Sequence, residues 1–401
     1  MDAAANELIQ MEAQAPGEDD HAYFRRYREA APVARSAVGV PVVLRHEHIA
    51  RMIDPATTRQ LETEALLMFG VTSGPIWDLY QTSMLFSNGE AHARRRGPVA
   101  KTFAFKLIEE VRGEVRAMAE RIVEQAIGQQ PFDFLNDFAG DIPARVIAGI
   151  LGVAAEDAQK FRGLVYQGVR AVGVHEEEER PAIEAAIDAL RAYVGGLIGA
   201  RKAAPKDDFL SDYNDAAAAR GDLSEDEVRA QVLTLIAAGS DTTRLAICSS
   251  LNQLLAHPAQ WRAFCEDPEG LKRQVAEEGL RFDPSVASFP RVATADIEID
   301  GYILPAGGFV GISTMSAMRD AAVYRDADAF DIFREDHPKW HPVFGAGAHR
   351  CLGEALAKIE LEETLAAIAT LAPRTRLSGD APVIKGLRGV RQIDRMDVVF
   401  G

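Results

Sequence analysis

The segment from Phe344 to Gly353 constrains this chain more than any other stretch of its sequence. It reads FGAGAHRCLG, so that Cys351 directly follows a glycine-rich loop. The apolar residues behind it have the i, i+3, i+4, i+7 spacing of a buried helical face, namely Leu352, Ala355, Leu356 and Ile359. A thiolate at such a helix start is stabilised by unpaired N–H groups and by the helix dipole, and glycines let a large flat group approach. The segment therefore predicts an axial metal ligand, with a buried structural cysteine as the alternative.

This run resembles the haem-binding loop of the cytochrome P450 family, Phe-x-x-Gly-x-His/Arg-x-Cys-x-Gly, and fills every defining position. The resemblance extends over essentially Phe24 to Phe400. It implies that the Cys351 thiolate ligates the iron of haem b and donates electron density that favours O–O cleavage. It also implies that Phe344, Gly345 and Gly353 contact the same cofactor.

The composition is that of an ordinary globular protein, with 47% hydrophobic and 26% charged residues in a chain of 401. Cys248, Cys265 and Cys351 are too few and too scattered for a disulfide framework, which fits a reducing, cytoplasmic compartment. A net charge of −16 argues against nucleic-acid or anionic-membrane binding. No apolar stretch approaches the roughly 20 residues of a membrane span, and we expect no membrane anchor.

The residue pattern predicts a mainly α-helical protein with small β-sheets. The predicted elements are strands at 32–35 and 40–44, helices at 224–256 and 268–281, a hairpin at 297–304, and a last strand or hairpin at 390–400. Ser224 and Glu227 form a capping box that opens the longer helix, and an Asp-Gly pair marks the hairpin turn. The resemblance implies a single triangular domain over residues 1–401, in which this helix crosses the haem and residues 1–20 are a loosely ordered polar segment.

The middle of the long helix reads AGSDTT from Ala238 to Thr243, an unfavourable choice for a purely structural helix. Glycine inside a helix costs about 1 kcal/mol against alanine, and a buried aspartate costs more unless it is paired. We expect the helix to widen locally here and to place an acid beside an alcohol. The alternative is a close helix–helix contact at Gly239 with Asp241 in a salt bridge.

The same run resembles the family signature Ala/Gly-Gly-x-Asp/Glu-Thr. By that resemblance, Ala238 and Gly239 lie against the cofactor, Thr242 hydrogen-bonds dioxygen, and Asp241 helps to relay protons. Arg244 is about 200° around the helix from Thr242 and is expected to face away from the iron.

Four cationic or imidazole side chains match positions that bind haem propionates in the family. His92 and Arg96 are four residues apart on a probable helix, Arg291 follows Phe289-Pro290, and His349 lies two residues before the cysteine. Two buried carboxylates need cationic hydrogen-bond donors, so four candidates form a coherent set. Taken alone, His92 and Arg96 would indicate only a basic surface turn.

Glu278 and Arg281 are an acid and a base at i, i+3 on one helical face. Such pairs usually lie on solvated surfaces, which is the interpretation from spacing alone. The spacing to Cys351 also matches the family's Glu-x-x-Arg motif. The resemblance implies a buried, structural pair that stabilises the core under the cysteine loop.

Large apolar groups are concentrated between Leu66 and Phe86, where Gly74 and Pro75 interrupt any regular element. Ordinary core packing explains most of them. The family places its main substrate-recognition loop here, and the resemblance implies an apolar pocket for a hydrophobic small molecule. The residues implied are Trp77, Met84, Phe86, Leu233, Ala237, Val286, Ala287 and Phe289.

The function implied is that of a haem-thiolate monooxygenase, an oxidoreductase that inserts one atom of O2 by hydroxylation or epoxidation. Because no flavin or iron–sulfur segment is visible, we expect electrons from separate proteins, a ferredoxin and a ferredoxin reductase. A docking face is expected around the cysteine loop, made locally basic by Arg94, Arg95, Arg350 and Lys358. Two alternatives stay open: a peroxide-driven oxygenase, which would not need Asp241 and Thr242, and a non-catalytic haem-binding sensor or carrier.

Overall fold

A computed structural model describes residues 7–103, 105–172 and 176–401. Its helices are α1 Asp20–Ala30, α2 His46–Ile53, α3 Glu64–Met68, α4 Pro75–Thr82, α5 Gly89–Thr102, α6 Phe105–Ala126, α7 Asp141–Leu151, α8 Ala158–Gly168, α9 Arg180–Ala203, α10 Phe209–Arg220, α11 Glu225–Ala256, α12 Pro258–Glu266, α13 Pro268–Phe282, α14 Thr314–Ala317 and α15 Glu354–Leu371. Its strands are β1 Ile9–Gln10, β2 Val33–Arg35, β3 Pro41–Val43, β4 Thr58–Gln60, β5 Phe132–Asp133, β6 Val286–Ala293, β7 Ile297–Ile299, β8 Tyr302–Leu304, β9 Phe309–Ser313, β10 Arg376–Leu377, β11 Ile384–Lys385, β12 Gly389–Val390, β13 Gln392–Ile393 and β14 Asp397–Val399. The predicted class, mainly helical with small sheets, is confirmed.

The chain divides into two compact units. The first comprises residues 1–60, 245–351 and 375–396, and the second comprises 61–244, 352–374 and 397–401. No helix among the residues described is long and apolar enough to cross a membrane. Residues 1–6 of the polar N-terminal segment lie outside the described residues, whereas β1 within it pairs in parallel with β2.

The first unit is built on a seven-stranded sheet in the order β1-β2-β3-β9-β6-β12, with β4 also paired to β6. Its longest strand, β6, pairs antiparallel with β9, placing Phe289 opposite Ile312 and Arg291 opposite Val310. Apolar side chains from these strands and from α2 form a buried core, including Val33, Ile49, Met52, Val310 and Ile312. The sequence pattern did not predict β6, although it carries four of the residues singled out above.

Local signals account for the helix starts and for the tight turn of this unit. Asp267 caps α13 by accepting a hydrogen bond from Gly270 N at 2.9 Å, and Pro268 takes the first helical position. The predicted hairpin forms from β7 and β8. Its turn residues Asp300 and Gly301 both have positive φ, 49° and 85°, as a two-residue type I′ turn requires.

The second unit is almost entirely helical and is dominated by α5 to α10, the first part of α11, and α15. Short strands β5 and β14 pair antiparallel, with Val398 opposite Phe132. The C-terminal region therefore forms strands as predicted, but not one hairpin, because β13 pairs with β11 and β14 pairs with β5. The region 66–86 is more ordered than expected, since α3, α4 and a 3-10 turn at Met84–Phe86 occupy most of it.

The long helix α11 has the predicted start and length. Glu227 N donates to Ser224 Oγ at 3.2 Å, and Ser224 N donates to Glu227 Oε2 at 3.0 Å, which completes the capping box. The helix runs for 32 residues. It is α-helical without interruption through Gly239, so the predicted local widening is not observed.

Candidate active site

The cysteine loop closes on itself through backbone hydrogen bonds. Cys351 N donates to Phe344 O at 2.7 Å, and Arg350 N donates to Gly347 O at 3.2 Å. Trp340 Nε1 supports the turn by donating to Gly345 O at 2.8 Å. Phe344 is buried, whereas Cys351 is exposed at the end of the loop and His349 is half-buried. The loop therefore presents the thiol outward from a rigid turn, and the alternative of a buried structural cysteine is wrong.

Two glycines shape the surface beside this thiol. Gly345 and Gly347 have φ values of +64° and +62°, which disfavour any other residue. A Cβ added to Gly345 would have no neighbour closer than 3.8 Å, and one added to Gly347 none closer than 4.0 Å. The glycines are needed for the turn, and they leave open space beside the loop. A planar cofactor fits such a cradle.

Glu278 and Arg281 form a buried pair within the first unit, with side-chain exposures of 1% and 0%. Two hydrogen bonds of 2.7 and 2.8 Å join the carboxylate to the guanidinium. Arg281 also donates to the backbone oxygens of Met318, Ala327 and Ala329. The surface interpretation is therefore wrong, and the pair is the buried structural one that the family resemblance implied.

The glycine between these two residues is required by packing. A Cβ at Gly279 would lie 2.1 Å from Ser250 Oγ, within van der Waals overlap. The carboxylate of Glu278 also accepts from Asp331 N at 2.7 Å and lies 3.3 Å from Arg334 Nε. The motif thus anchors the segment that leads to the cysteine loop.

Arg291 is a buried cation on β6, with 3% of its surface exposed. It donates to Thr58 Oγ1 at 2.9 Å, to Gln60 Oε1 at 2.8 Å and to the backbone oxygens of Thr58 and Ile53. All these acceptors are neutral, and no carboxylate of the described residues pairs with Arg291. Burial lowers the pKa of Arg291 to about 10. A buried guanidinium without an anion is costly, and a propionate would supply that anion.

His92 is buried on α5, and Arg96 is half-buried one turn further on. Burial and the nearby charge of Arg96 lower the pKa of His92 to about 4, so its imidazole is neutral at pH 7. A neutral imidazole can still donate one hydrogen bond. The two side chains therefore form a donor pair, not the exposed basic turn that spacing alone indicated.

The centre of α11 is the accessible part of an otherwise buried helix. Ala238 is exposed and Gly239, Asp241 and Thr242 are half-buried, whereas Leu245 and Ile236 are buried. Thr242 Oγ1 donates to Ala238 O at 2.9 Å. A Cβ at position 239 would lie 3.5 Å from Ile147 Cδ1, an ordinary contact, so packing alone does not require this glycine.

Asp241 forms a salt bridge with Arg244 at i, i+3. The guanidinium of Arg244 also lies 4.3 Å from the centre of the Tyr166 ring. Tyr166 in turn donates to Gly140 O at 2.6 Å. The salt bridge of the structural alternative is therefore present, and the sequence reasoning missed that the partner of Asp241 is Arg244. The Asp241 side chain is 30% exposed in this salt bridge, so its carboxylate, next to a threonine hydroxyl, can still transfer protons.

Three of the four cations expected in the basic docking face lie beside carboxylates. Arg94 and Arg95 both bind Glu227, with contacts of 2.8 and 2.9 Å. The Arg94 guanidinium, with further help from Ser224 N and Arg95, lowers the pKa of Glu227 to about 2. Lys358 lies 3.3 Å from Glu354. Glu227 neutralises one of the two positive charges of Arg94 and Arg95, and the place of these two residues in a docking face stays a prediction.

The residues implied for the substrate pocket are apolar and largely shielded within each unit. In the second unit Met84 and Leu233 are buried, and Trp77, Phe86 and Ala237 are half-buried. In the first unit Ala287 is fully buried, whereas Val286 and Phe289 are half-buried along β6. The ring of Phe86 stacks on that of Tyr80 with centroids 3.5 Å apart.

An outward-facing thiol on an open glycine loop fits a haem-thiolate protein, and so does a buried arginine with no carboxylate partner among the described residues. A model of the cytochrome P450 family matches residues 180–266 and 271–369. The plant-inducible cytochrome P450-pinF1 of Rhizobium radiobacter is 39% identical over 381 residues, covering 95% of this chain and 90% of that protein. Epothilone C/D epoxidase of Sorangium cellulosum is 30% identical and covers 96% and 94%. The crystal structure of CalO2 superposes with a TM-score of 0.88 at 27% identity, covering 96% of both chains.

The chain belongs to the cytochrome P450 family. It is a haem-thiolate monooxygenase, and its cofactor is haem with a cysteine thiolate as axial ligand. Nothing in the comparisons supports a peroxide-driven enzyme or a non-catalytic carrier.

Glu360 on α15 is a fully buried carboxyl that the sequence analysis did not single out. Its Oε2 atom has no hydrogen-bond partner among the residues described. Burial raises the pKa of Glu360 well above its ordinary value of 4.5. As pH rises, Glu360 loses its proton at a lower pH in the unfolded chain than in the folded protein. Its contribution to the free energy of unfolding is therefore fully present below about pH 4.5 and is lost as pH rises toward the pKa of the folded protein.

We therefore expect Glu360→Gln to flatten the decline of stability with increasing pH. The unfolding free energy of the parent should fall by up to about 1.4 kcal/mol per pH unit relative to the variant above pH 4.5. Urea denaturation between pH 5 and 8 measures this difference. Glu354→Gln, on the same helix but paired with Lys358, is the control. Parallel pH profiles for parent and Glu360→Gln would show that Glu360 is ionised in the folded protein.

Proposed function

We propose that this monooxygenase oxidises a hydrophobic small molecule in the cytoplasm, with electrons from a ferredoxin and its reductase. The proposal rests on two observations, the outward-facing Cys351 and the buried Arg291, which has no carboxylate partner among the described residues. The chain has only three cysteines, too few for a disulfide framework, which fits a reducing compartment. We further propose that the whole chain acts as one family domain, because two of its relatives align over 95% and 96% of it.

Each residue has a proposed part in holding the cofactor, which supplies oxygen activation when bound. Cys351 ligates the iron, and Phe344, Gly345 and Gly353 form the cradle around that ligand. Arg291 and His349 bind propionates, and we assign the same part to His92 and Arg96. The open space beside the glycines supports these assignments, and so does the buried Arg291 guanidinium, whose acceptors among the described residues are all neutral.

Asp241 and Thr242 are proposed to manage protons. Thr242 Oγ1 lies on the accessible face of α11, where Ala238 and Gly239 leave room for a small molecule. The Asp241 side chain is 30% exposed, so water can reach its carboxylate beside the salt bridge to Arg244. An acid and an alcohol so placed can deliver protons from solvent to a reduced oxygen molecule.

The substrate class is proposed from the apolar character of Trp77, Met84, Phe86, Leu233 and Ala237. These side chains offer burial and few hydrogen-bond anchors, which favours a large, weakly polar ligand. The relative from Sorangium cellulosum is an epoxidase of epothilone C/D. We propose hydroxylation or epoxidation of a compound of comparable hydrophobicity. An absorbance titration of the ferric protein with myristic acid, testosterone, limonene and naphthalene distinguishes fatty-acid, steroid, terpenoid and aromatic classes by their spin-state shifts.

The proton assignment is tested by Thr242→Val, which keeps the shape of the side chain and removes its hydroxyl. With ferredoxin, reductase and NADH supplied, we expect product formed per O2 consumed to fall by at least about tenfold. The control is Thr243→Val, the next residue of the same helix, whose side chain is 3% exposed. Equal product yields for Thr242→Val and the parent would remove Thr242 from the proton path.

A further inference from the structure

Residues 66–86 form the proposed substrate segment. Two side chains of α11 bind three consecutive residues of it, Thr82, Ser83 and Met84. Gln231 Oε1 accepts from Met84 N at 2.7 Å, and Gln231 Nε2 donates to Thr82 O at 2.9 Å. The hydroxyls of Ser83 and Thr234 are 2.8 Å apart. Gln231 thus binds the backbone on both sides of Ser83, and Thr234 binds the Ser83 side chain. We call this set of contacts the clamp.

The direction of the hydroxyl contact follows from its neighbours. Thr234 Oγ1 donates to Ala230 O at 2.7 Å, which uses its only proton. Ser83 must therefore donate to Thr234, while Ser83 Oγ accepts from Leu85 N at 3.0 Å. Ser83, Thr234 and Gln231 are buried, with 1%, 5% and 0% exposed. A buried series of hydrogen bonds in which every donor and acceptor has a partner favours a single conformation, and breaking one of these bonds costs free energy.

The clamp lies on a defined face of α11. Glu227, Gln231, Thr234 and Ala238 follow i, i+4, i+7, i+11, and so they share one face of the helix. Glu227 holds Arg94 and Arg95 of α5, Gln231 and Thr234 hold the substrate segment, and Ala238 begins the accessible turn. One polar stripe therefore sets the position of the substrate segment relative to the turn that carries Thr242.

We propose that Gln231 and Thr234 are positioning residues that determine which substrates this enzyme accepts. Neither would touch the substrate; they hold Thr82–Met84, and through it they orient Met84 and the Phe86 ring stacked on Tyr80. This inference rests on the proposed function, because it takes the segment to line the substrate pocket.

The test uses two ligands of the holoenzyme and a pair of matched variants. Imidazole binds the iron and reports only access to it, whereas phenylimidazole must also fit its ring into the pocket. We expect Thr234→Val to weaken phenylimidazole binding about fivefold and to leave imidazole binding unchanged, because Ser83 loses its buried acceptor and the segment shifts. Thr234→Ser, which keeps the hydroxyl, should restore the parent value. Gln231→Leu should give a larger loss, of about tenfold or more, because it frees both backbone groups.

The possible results separate this proposal from simpler explanations. If Thr234→Val and Thr234→Ser bind phenylimidazole alike, or if imidazole affinity falls in parallel, the clamp does not shape the pocket. Lower unfolding stability with unchanged affinity for both ligands would make the contact merely structural. A parent protein that binds neither ligand would instead refute the haem-thiolate site on which the inference rests.

Discussion

Cys351→Ser is expected to abolish oxygen insertion, with turnover reduced by ~1000-fold or more. A serine hydroxyl is too weakly acidic to replace the thiolate, and the electron donation that favours O–O cleavage is lost. The measurement is product formation with ferredoxin, reductase and NADH, together with the absorption spectrum of the purified protein. Because the loop is closed by backbone hydrogen bonds, we expect the variant to fold.

The control for this substitution is Cys265→Ser, since Cys265 is partly exposed and outside the loop. Burial raises the pKa of Cys265 to about 11, so its thiol stays protonated and unreactive. Cys265→Ser should therefore leave the absorption spectrum and the turnover unchanged. A Cys351→Ser protein with the spectrum of the parent would mean that another residue ligates the iron.

The second large effect is expected from Glu278→Ala, which should destabilise the protein by about 3–5 kcal/mol. The substitution leaves Arg281 charged at 0% exposure, and it also removes the acceptor of Asp331 N. Urea denaturation of the holoenzyme measures the loss, and a lower yield of folded protein should accompany it.

The same helix provides a matched control in Glu269 and Lys272. This pair is also i, i+3 on α13, with a 2.6 Å contact, but 62% of the Glu269 side chain is exposed. Glu269→Ala should cost no more than about 1 kcal/mol. Equal losses for the two alanine variants would show that burial of the Glu278 pair contributes nothing to stability.

Features encoded by neighbouring residues could be predicted from the sequence. The capping box of α11, the Asp300-Gly301 turn and the cysteine loop each depend on residues within ten positions of one another. Their geometry follows from local dihedral preferences and hydrogen bonds. The structure confirms all three.

Features that join distant segments could not be predicted in this way. Arg94 looked like a free surface cation because its partner Glu227 is 133 residues away. The contacts of Arg291 come from β4 and from the end of α2, some 230 positions earlier. The strand β6 was missed because its pairing with β4 and β9 decides its structure. The partnership of Asp241 with Arg244 was local, and it was overlooked because the helical position of Arg244 was measured from Thr242 alone.

The uncompensated guanidinium of Arg291 has a consequence for the life of the protein in the cell. Burying this charge lowers the stability of the protein without haem, and the propionates of bound haem would compensate it. Haem binding and folding are therefore thermodynamically linked. Newly synthesised protein without haem would therefore unfold and be degraded more readily than the haem-bound protein. The amount of enzyme would then follow the supply of porphyrin, without any dedicated sensor.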